Sequence, residues 1–279
     1  MKNFPDILFN TVSSSDLDEL SDYEKDRIVS THKDMCSKRE SGTPLVKISR
    51  TVQDNLADEK TVIDIVCNDH PFLLDSVVAE INRHNLLIDF LIHPYIYVTY
   101  GDDKKVTSIS KTESEGAYRQ SHISLRLQRL IPRSLEVKLK EGLKSVIFDV
   151  KLVTSEWQEM RYKTLECRDH LQLIAEQKKT SKEFGEYAAF LEYMYDHNFT
   201  LLGYRYFKKV DEKKVTYAEQ HKLSLGLLRK KRPEDFLGDY AHYFDKFLEQ
   251  LEKKKKPLHI FKINQDSTVH RRVPVDAIT

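Results

Sequence analysis

Glycine is scarce, with eight residues in a chain of 279. Loops that cradle phosphate are built from glycine-rich backbone, and none of GxGxxG, GxxxxGKS/T or GxSxG occurs, nor does the metal-binding helix HExxH. Nucleotide chemistry, a nucleophile elbow and a zinc-protease helix therefore have no support. Cysteine is sparse as well. Cys36, Cys67 and Cys167 are odd in number, far apart and without CxxC spacing, which predicts reduced thiols used in packing. No run approaches the roughly 18 apolar residues that span a bilayer, and the opening MKNFPDILFN lacks the basic-then-apolar order of a signal peptide. The expectation is a cytoplasmic protein with no membrane partner. Charge of one sign is missing too. The 45 lysines and arginines offset 44 aspartates and glutamates, net +1, so no overall charge draws the chain to nucleic acid.

What is present is an ordinary globular composition, 40% apolar, enough for the cores of one large or two modest domains. SSSDLDEL places an N-cap at Ser15 or Asp16, and DYEKDRIVSTHKDM comes next, so residues 1–43 read as a pair of modest helices packing onto the domain after them. Gly42, Thr43 and Pro44 break that region, and Leu45 to Val52 alternates like a half-buried strand. TVIDIVC, Thr61 to Cys67, is a β-branched strand that runs into NDHP. There Asn68, Asp69 or His70 can cap a helix with Pro71 in its first turn. Leu74, Val77, Val78 and Ile81 then form one apolar stripe, ending near His84 and Asn85. Leu86 to Tyr100 reads as a long strand interrupted at His93-Pro94, because proline donates no ladder hydrogen bond. After a polar connection, Ser121 to Leu130 alternates again, with His122, Ser124, Arg126 and Gln128 on a face expected to be wet.

Pro132 opens a helix that the pattern carries from Arg133 to about Lys178, roughly 65 Å at 1.5 Å per residue. Leu139, Leu143, Val146, Val150, Val153, Trp157 and Met160 recur along it at spacings of four and three, the seam of a packed helix pair. These seven are the candidates for oligomer or interdomain contact. A second stripe from Phe184 to Tyr195 stops at Asp196-His197-Asn198. From Phe199 the period shortens to that of a hairpin around Asp211-Glu212-Lys213. A short apolar run at Leu223 to Leu228 and a helix from Pro233 to Pro257 come after it, then two strands separated by Asn264 to Ser267. The end at Ile278-Thr279 has no terminating element, as expected of a piece of a longer polypeptide.

Few residues offer chemistry. The eleven histidines show no metal-ligand spacing, and His70, His93, His122 and Asp69 would make an acid-base or metal group only if folding gathered them. Asp75, the one acid inside HPFLLDSV, belongs on the outer side of its helix or bonds a neighbouring backbone group, a functional role being the lesser reading. Arg229 to Arg232 and Lys253 to Lys256 read as solvated faces, and Tyr204, Tyr206 and Tyr217 as cross-strand packing.

The order strand, NDHPFLLDSV, helix, strand resembles the ACT-type regulatory domain, in which an Asp-x-Pro-Gly loop joins strand to helix and effectors, often amino acids, bind nearby. Asp69 and Pro71 match; Phe72 stands in place of the glycine. The last strand of that fold normally comes after its second helix, and here Leu45 to Val52 is the compensating strand. A wider resemblance covers almost the whole chain. NDHPFLLDSV, LIHPYIYV, QSHISLRLQRL, DVKLVTSEWQEM, EYAAFLEYMYDHNFTLLGYRYF, LGLLR and STVHRRVPVD, in that order, resemble the amino-terminal region of the large NAD-specific glutamate dehydrogenases.

The resemblance implies an α+β fold: a helical segment over 1–43, an ACT-like (ferredoxin-like) domain over 44–132, a helical connector over 133–198, and a second α+β (ACT-like) domain over 199–279. It implies a regulatory and assembly role without catalytic residues. Asn68, Asp69, His70 and Phe72 are the effector candidates. No cofactor or metal is expected in this chain, NAD belonging to the parent enzyme. Partners would be an amino-acid effector and either a second copy or the catalytic region. The alternative is a structural remnant that binds nothing.

Overall fold

The computed structural model describes residues 3–51, 59–178, 181–211, 216–219, 223–229 and 257–279. Two compact units divide it, Met1–Phe148 and Asp149–Thr279.

The first unit is a six-stranded sheet with helices on both faces. Its amino-terminal layer consists of three helices where a pair is expected: α1 (Phe4–Leu8), α2 (Ser14–Asp18) and α3 (Asp22–Lys38). The caps lie at Ser13 and Ser21, not at Ser15 or Asp16. Ser21 makes a full capping box with Glu24, each satisfying the other's free backbone N–H, which is why α3 is the one long helix of the three.

The strands β1 (Leu45–Arg50), β2 (Thr61–Asn68), β3 (Ile88–Ile92), β4 (Tyr95–Tyr100), β5 (Val106–Ser110) and β6 (Tyr118–Leu127) pair antiparallel throughout. Their order is β1-β2-β6-β4-β5, with β3 also on β6. The interruption at His93-Pro94 works as expected: β3 pairs with the second half of β6 and β4 with the first, two strands in line where an unbroken one would be one long edge. β5 lies inside the polar stretch expected to be a plain connection. Its Val106 and Ile109 pack on the N-terminal core, and those two residues were too few to show a period of two.

β2 continues into a turn and then α4 (Leu73–Arg83). The expected cap at Asn68, Asp69 or His70, with Pro71 in the first turn, is not formed. Phe72 is the N-cap, with φ 65° in the left-handed region, and Pro71 precedes the helix. The buried stripe is Leu73, Val77 and Ile81, one residue round from the expected Leu74 and Val78. Asp75 is exposed in the first turn, where a carboxylate favours the helix dipole.

Strand alternation gives the sheet two faces. One carries Ile63, Ile65, Ile123 and Leu125, all fully buried. The buried stripes of α4 and of the start of α5 (Arg133–Lys178) are the apolar surfaces left to cover it. Gly142 of α5 meets α4 so closely that a Cβ there would lie 2.0 Å from Glu80 Oε1. The other face carries Asp64, His122 and Ser124 beside Phe90, Ile92, Ile96 and Val98, and Phe4, Leu8, Leu20, Ile28 and Cys36 close over it. The expectation of a wet face on β6 is therefore wrong. His122 and Ser124 are buried because the N-terminal helices lie on them, and polarity alone did not reveal that cover.

α5 runs from Arg133 to Lys178 as read from the sequence, and the division between the units falls inside it. The second unit continues through α6 (Ser181–Tyr193), which ends in a turn at Met194–Asn198 with His197 at φ 63°. Beyond it, the described residues form three two-stranded ladders: β7 (Gly203–Tyr204) with β10 (Leu225–Gly226), β8 (Phe207–Asp211) with β9 (Thr216–Glu219), and β11 (Ile260–Asp266) with β12 (Pro274–Ile278). β11 runs through Asn264 and Gln265, so the turn lies later than expected. Leu171, Leu191, Met194 and Leu258 form the small core. Glu156 of α5 fastens the LGLLR turn, accepting from the Gly226 N–H at 2.7 Å and pairing with Arg229 at 2.8 Å. Gly226 has φ 58°, and a Cβ there would lie 2.4 Å from the Leu202 carbonyl, so only glycine fits. The helix expected from Pro233 and the basic runs other than Arg229 lie outside the described residues.

Candidate functional site

Alternation along the end of β2 sends the two leading effector candidates to opposite faces. Asn68 faces the N-terminal layer, where its Oδ1 accepts from Arg39 Nη2. Asp69 faces the other way. Its Oδ1 accepts from Ser121 Oγ at 2.5 Å, and its Oδ2 pairs with Arg119 Nε at 2.9 Å. Ser121, having given its hydrogen to Asp69, accepts from His93 Nε2 at 2.9 Å. Arg119 also covers the ring of Tyr95, 3.9 Å from its centroid, and half its side chain remains exposed. Burial lowers His93, Asp69 pulling the other way and Arg119 adding to the effect. His70 and Phe72 are half-buried in the turn beyond. The junction thus presents Asp69, His93, Ser121 and Arg119 as one polar cluster, with Asn68 held behind it.

Behind Asn68 a buried polar layer runs along the sheet under α3. Asp64 accepts from Arg27 Nη1 at 2.8 Å and from Ser124 Oγ at 2.7 Å, with His32 Nε2 at 3.3 Å. His32 Nδ1 lies 3.1 Å from His122 Nδ1, and His122 Nε2 lies 2.7 Å from Gln120 Oε1. Gln120 Nε2 lies 3.1 Å from Tyr100 Oη, which also accepts from Arg39 Nη1. Arg39 donates from Nε to the Thr43 carbonyl at 2.8 Å and from Nη2 to Asn68. A hydrogen-bonded chain therefore links His32 to Asn68, with Asp64 beside its His32 end. Arg39 is buried, and among the described residues no carboxylate pairs with it.

Burial would raise Asp64, but hydrogen bonding and charge from His32, then Arg27 and Ser124, outweigh it and hold the carboxyl at about 2. Burial keeps His122 well below the ordinary imidazole range, and His32, Arg39 and His93 add to it. Burial likewise pushes the thiols of Cys36 and Cys67 up to about 12 against the pull of Arg39, so both stay protonated and unreactive at neutral pH. A cleft beside the layer, lined by Glu24, Arg27, Ser124 and Arg126, has about 10 Å³, the room of a single water.

Of the histidines singled out, His93 comes within 4.0 Å of Asp69, while His122 turns to the opposite face. Among the described residues no group of three His, Cys, Asp or Glu could hold a metal. The seam residues Leu139, Leu143, Val146, Val150, Val153 and Met160 are buried within this chain, and only Trp157 is substantially exposed. Arg27, His32, Arg39 and Asp64 escaped sequence reasoning. A signal existed: Ile28, His32, Met35 and Arg39 recur at spacings of four, three and four along α3 and its C-cap, and Asp64 is the one acid within TVIDIVC.

The strand order is that of an ACT-type regulatory fold with its outer strand supplied from the N-terminal side: β1 lies beside β2, where the fold ordinarily places the strand that comes after its second helix. The family model "Glutamate dehydrogenase, ACT1 domain" matches residues 4–143, and the chain belongs to that family. It is 29% identical over 189 residues to the NAD-specific glutamate dehydrogenase of Pseudomonas aeruginosa, covering 65% of this chain and 12% of that protein. With the NAD-specific glutamate dehydrogenase of Halomonas elongata it shares 25% identity over 177 residues, 62% of this chain and 11% of that protein. The matched stretch is about a ninth of these relatives' length. Among the described residues no helix is long and apolar enough to cross a membrane.

Proposed function

We propose that this chain is the amino-terminal regulatory and assembly region of an NAD-specific glutamate dehydrogenase and senses an amino-acid effector at the junction of β2 and α4. The supporting observation is the polar cluster of Asp69, His93, Ser121 and Arg119 at the strand-to-helix turn of an ACT1-family domain, with His70 and Phe72 in the turn itself. Arg119 offers an exposed guanidinium edge to a carboxylate, and Asp69 a carboxylate to an ammonium group, the two charges that every free amino acid carries. The parent reaction is the oxidative deamination of L-glutamate to 2-oxoglutarate with NAD, and in this reading it belongs to a catalytic region outside these residues. NAD is then a cofactor of the parent enzyme, the partner is that region or a second copy, and the location is the cytoplasm.

The test is titration of the chain with free amino acids, monitored by melting temperature and amide NMR. The expected result is a rise in melting temperature for at least one of them, with shifts confined to Asp69, His70, Arg119 and their neighbours. If none moves either signal, the sensing role is wrong. Glutamate and NAD added to the isolated chain should give no turnover.

A further inference from the structure

The two Nδ1 atoms of His32 and His122 face each other at 3.1 Å across the boundary between α3 and β6, and both rings are buried. A gap of that length holds one hydrogen, so one ring donates and the other must accept. The outer nitrogens are constrained as well. His32 Nε2 lies 3.3 Å from Asp64 Oδ1, close enough for charge attraction though not aligned as a hydrogen bond, and His122 Nε2 faces the Gln120 amide. With the amide oxygen towards His122 and a hydrogen on His32 Nε2 towards Asp64, the pair carries three hydrogens and one positive charge. With the amide turned over, Gln120 donates to His122, Tyr100 donates to Gln120, and the pair is neutral. No arrangement accommodates two charges, because two imidazolium rings would bring two N–H groups head to head.

We propose that docking of the N-terminal helices on this sheet is proton-linked through the His32–His122 pair, so that acidification releases α1–α3 from the sheet. Two separated, solvated imidazoles can each take up a proton as pH falls, whereas the docked pair holds at most one charge between its rings. The released state therefore binds at least one proton more than the docked state at low pH, and the linkage favours release as pH falls. The other groups facing the pair bear on the same balance. Arg27 of α3 and Arg39 at its C-cap are fixed cations that oppose added charge, and His93, before β4 and on the other face of the sheet, acts on His122 through its charge alone. Asp64 of β2 is the one anion and is already paired with Arg27. Cys36 and Tyr100 stay neutral, Gln120 and Ser124 are uncharged, and α1 contributes only the edge of Phe4, 6.1 Å from the His122 ring.

Amide hydrogen exchange of the full chain, read by mass spectrometry over peptides of α3 and corrected for intrinsic exchange, tests this between pH 7.5 and 5. The expected result is an opening constant for α3 that does not rise on acidification down to about pH 6.5 and below it rises towards tenfold or more per pH unit. In His122→Asn that slope should disappear. An α3 opening constant independent of pH in the native chain overturns the proposal, as does an unchanged slope in the variant. Should His122→Asn not fold, the imidazole ¹⁵N shifts of the native chain decide. Two imidazolium rings with α3 still protected overturn it, and at most one supports it.

Discussion

A single carboxylate anchors the buried layer. Asp64 has no exposed surface and accepts from Arg27 and Ser124, with His32 alongside, so its charge is compensated only while all three remain in place. Asp64→Asn leaves Arg27 without its anion inside the fold, and we expect a loss of about 3–5 kcal/mol in urea denaturation. The acid limb of stability has the matching sign. A carboxyl held at about 2, below its unfolded value, contributes stability that is complete above about pH 4 and is lost as pH falls from there through 2. The loss amounts to about 2 kcal/mol, measurable as a falling urea midpoint over that range. The rise in α3 opening begins below about pH 6.5, while the docked form still predominates, so its onset lies well above the range in which Asp64 protonates.

At the scale of the element, the start of α4 is the informative place. A side chain at φ 65° costs about 1–2 kcal/mol relative to glycine, and Phe72 occupies that conformation with no side-chain cap to compensate. Glycine at this position would relieve the strain at the expense of the half-buried ring; a β-branched residue would keep the strain and lose the ring as well. Phe72→Val should therefore melt below Phe72→Gly by a margin worth about 1–2 kcal/mol, with helix content near 222 nm unchanged in both. Equal melting temperatures would show that the turn can relax without left-handed backbone. The long helix makes the opposite point. α5 matches its sequence limits because no proline or glycine pair interrupts its apolar repeat, whereas α4 keeps Val77 and Ile81 of its expected stripe and buries Leu73 in place of Leu74 and Val78.

For the whole molecule, the seam on α5 decides between folding and assembly. Val150 is fully buried within this chain, so Val150→Asp places an unpaired charge in the interior and should cost about 4 kcal/mol or more, lost as cooperative unfolding. Trp157 is 38% exposed, and Trp157→Lys should leave the melting temperature within about 1 kcal/mol of the parent chain. Solution mass beside thermal melting separates the alternatives. A folded Val150→Asp of lower mass would mean that the seam holds copies together.

The sequence alone determined whatever depends on local pattern. The α+β class, the strand break at His93-Pro94 and the extent of α5 rest on periodicity and proline chemistry between near neighbours, and the outer position of the strand at Leu45 on the resemblance that the ordered motifs carry. Only tertiary structure decided what covers what. His122 and Ser124 read as a wet face because alternation reports two faces without saying which is solvated. Cover by α3, about ninety residues earlier in the chain, made that face an interior. Asn68 and Asp69 read as one candidate site, and the pleat sent them to different sides. Burial is a property of distant segments meeting, and no window of sequence contains both partners.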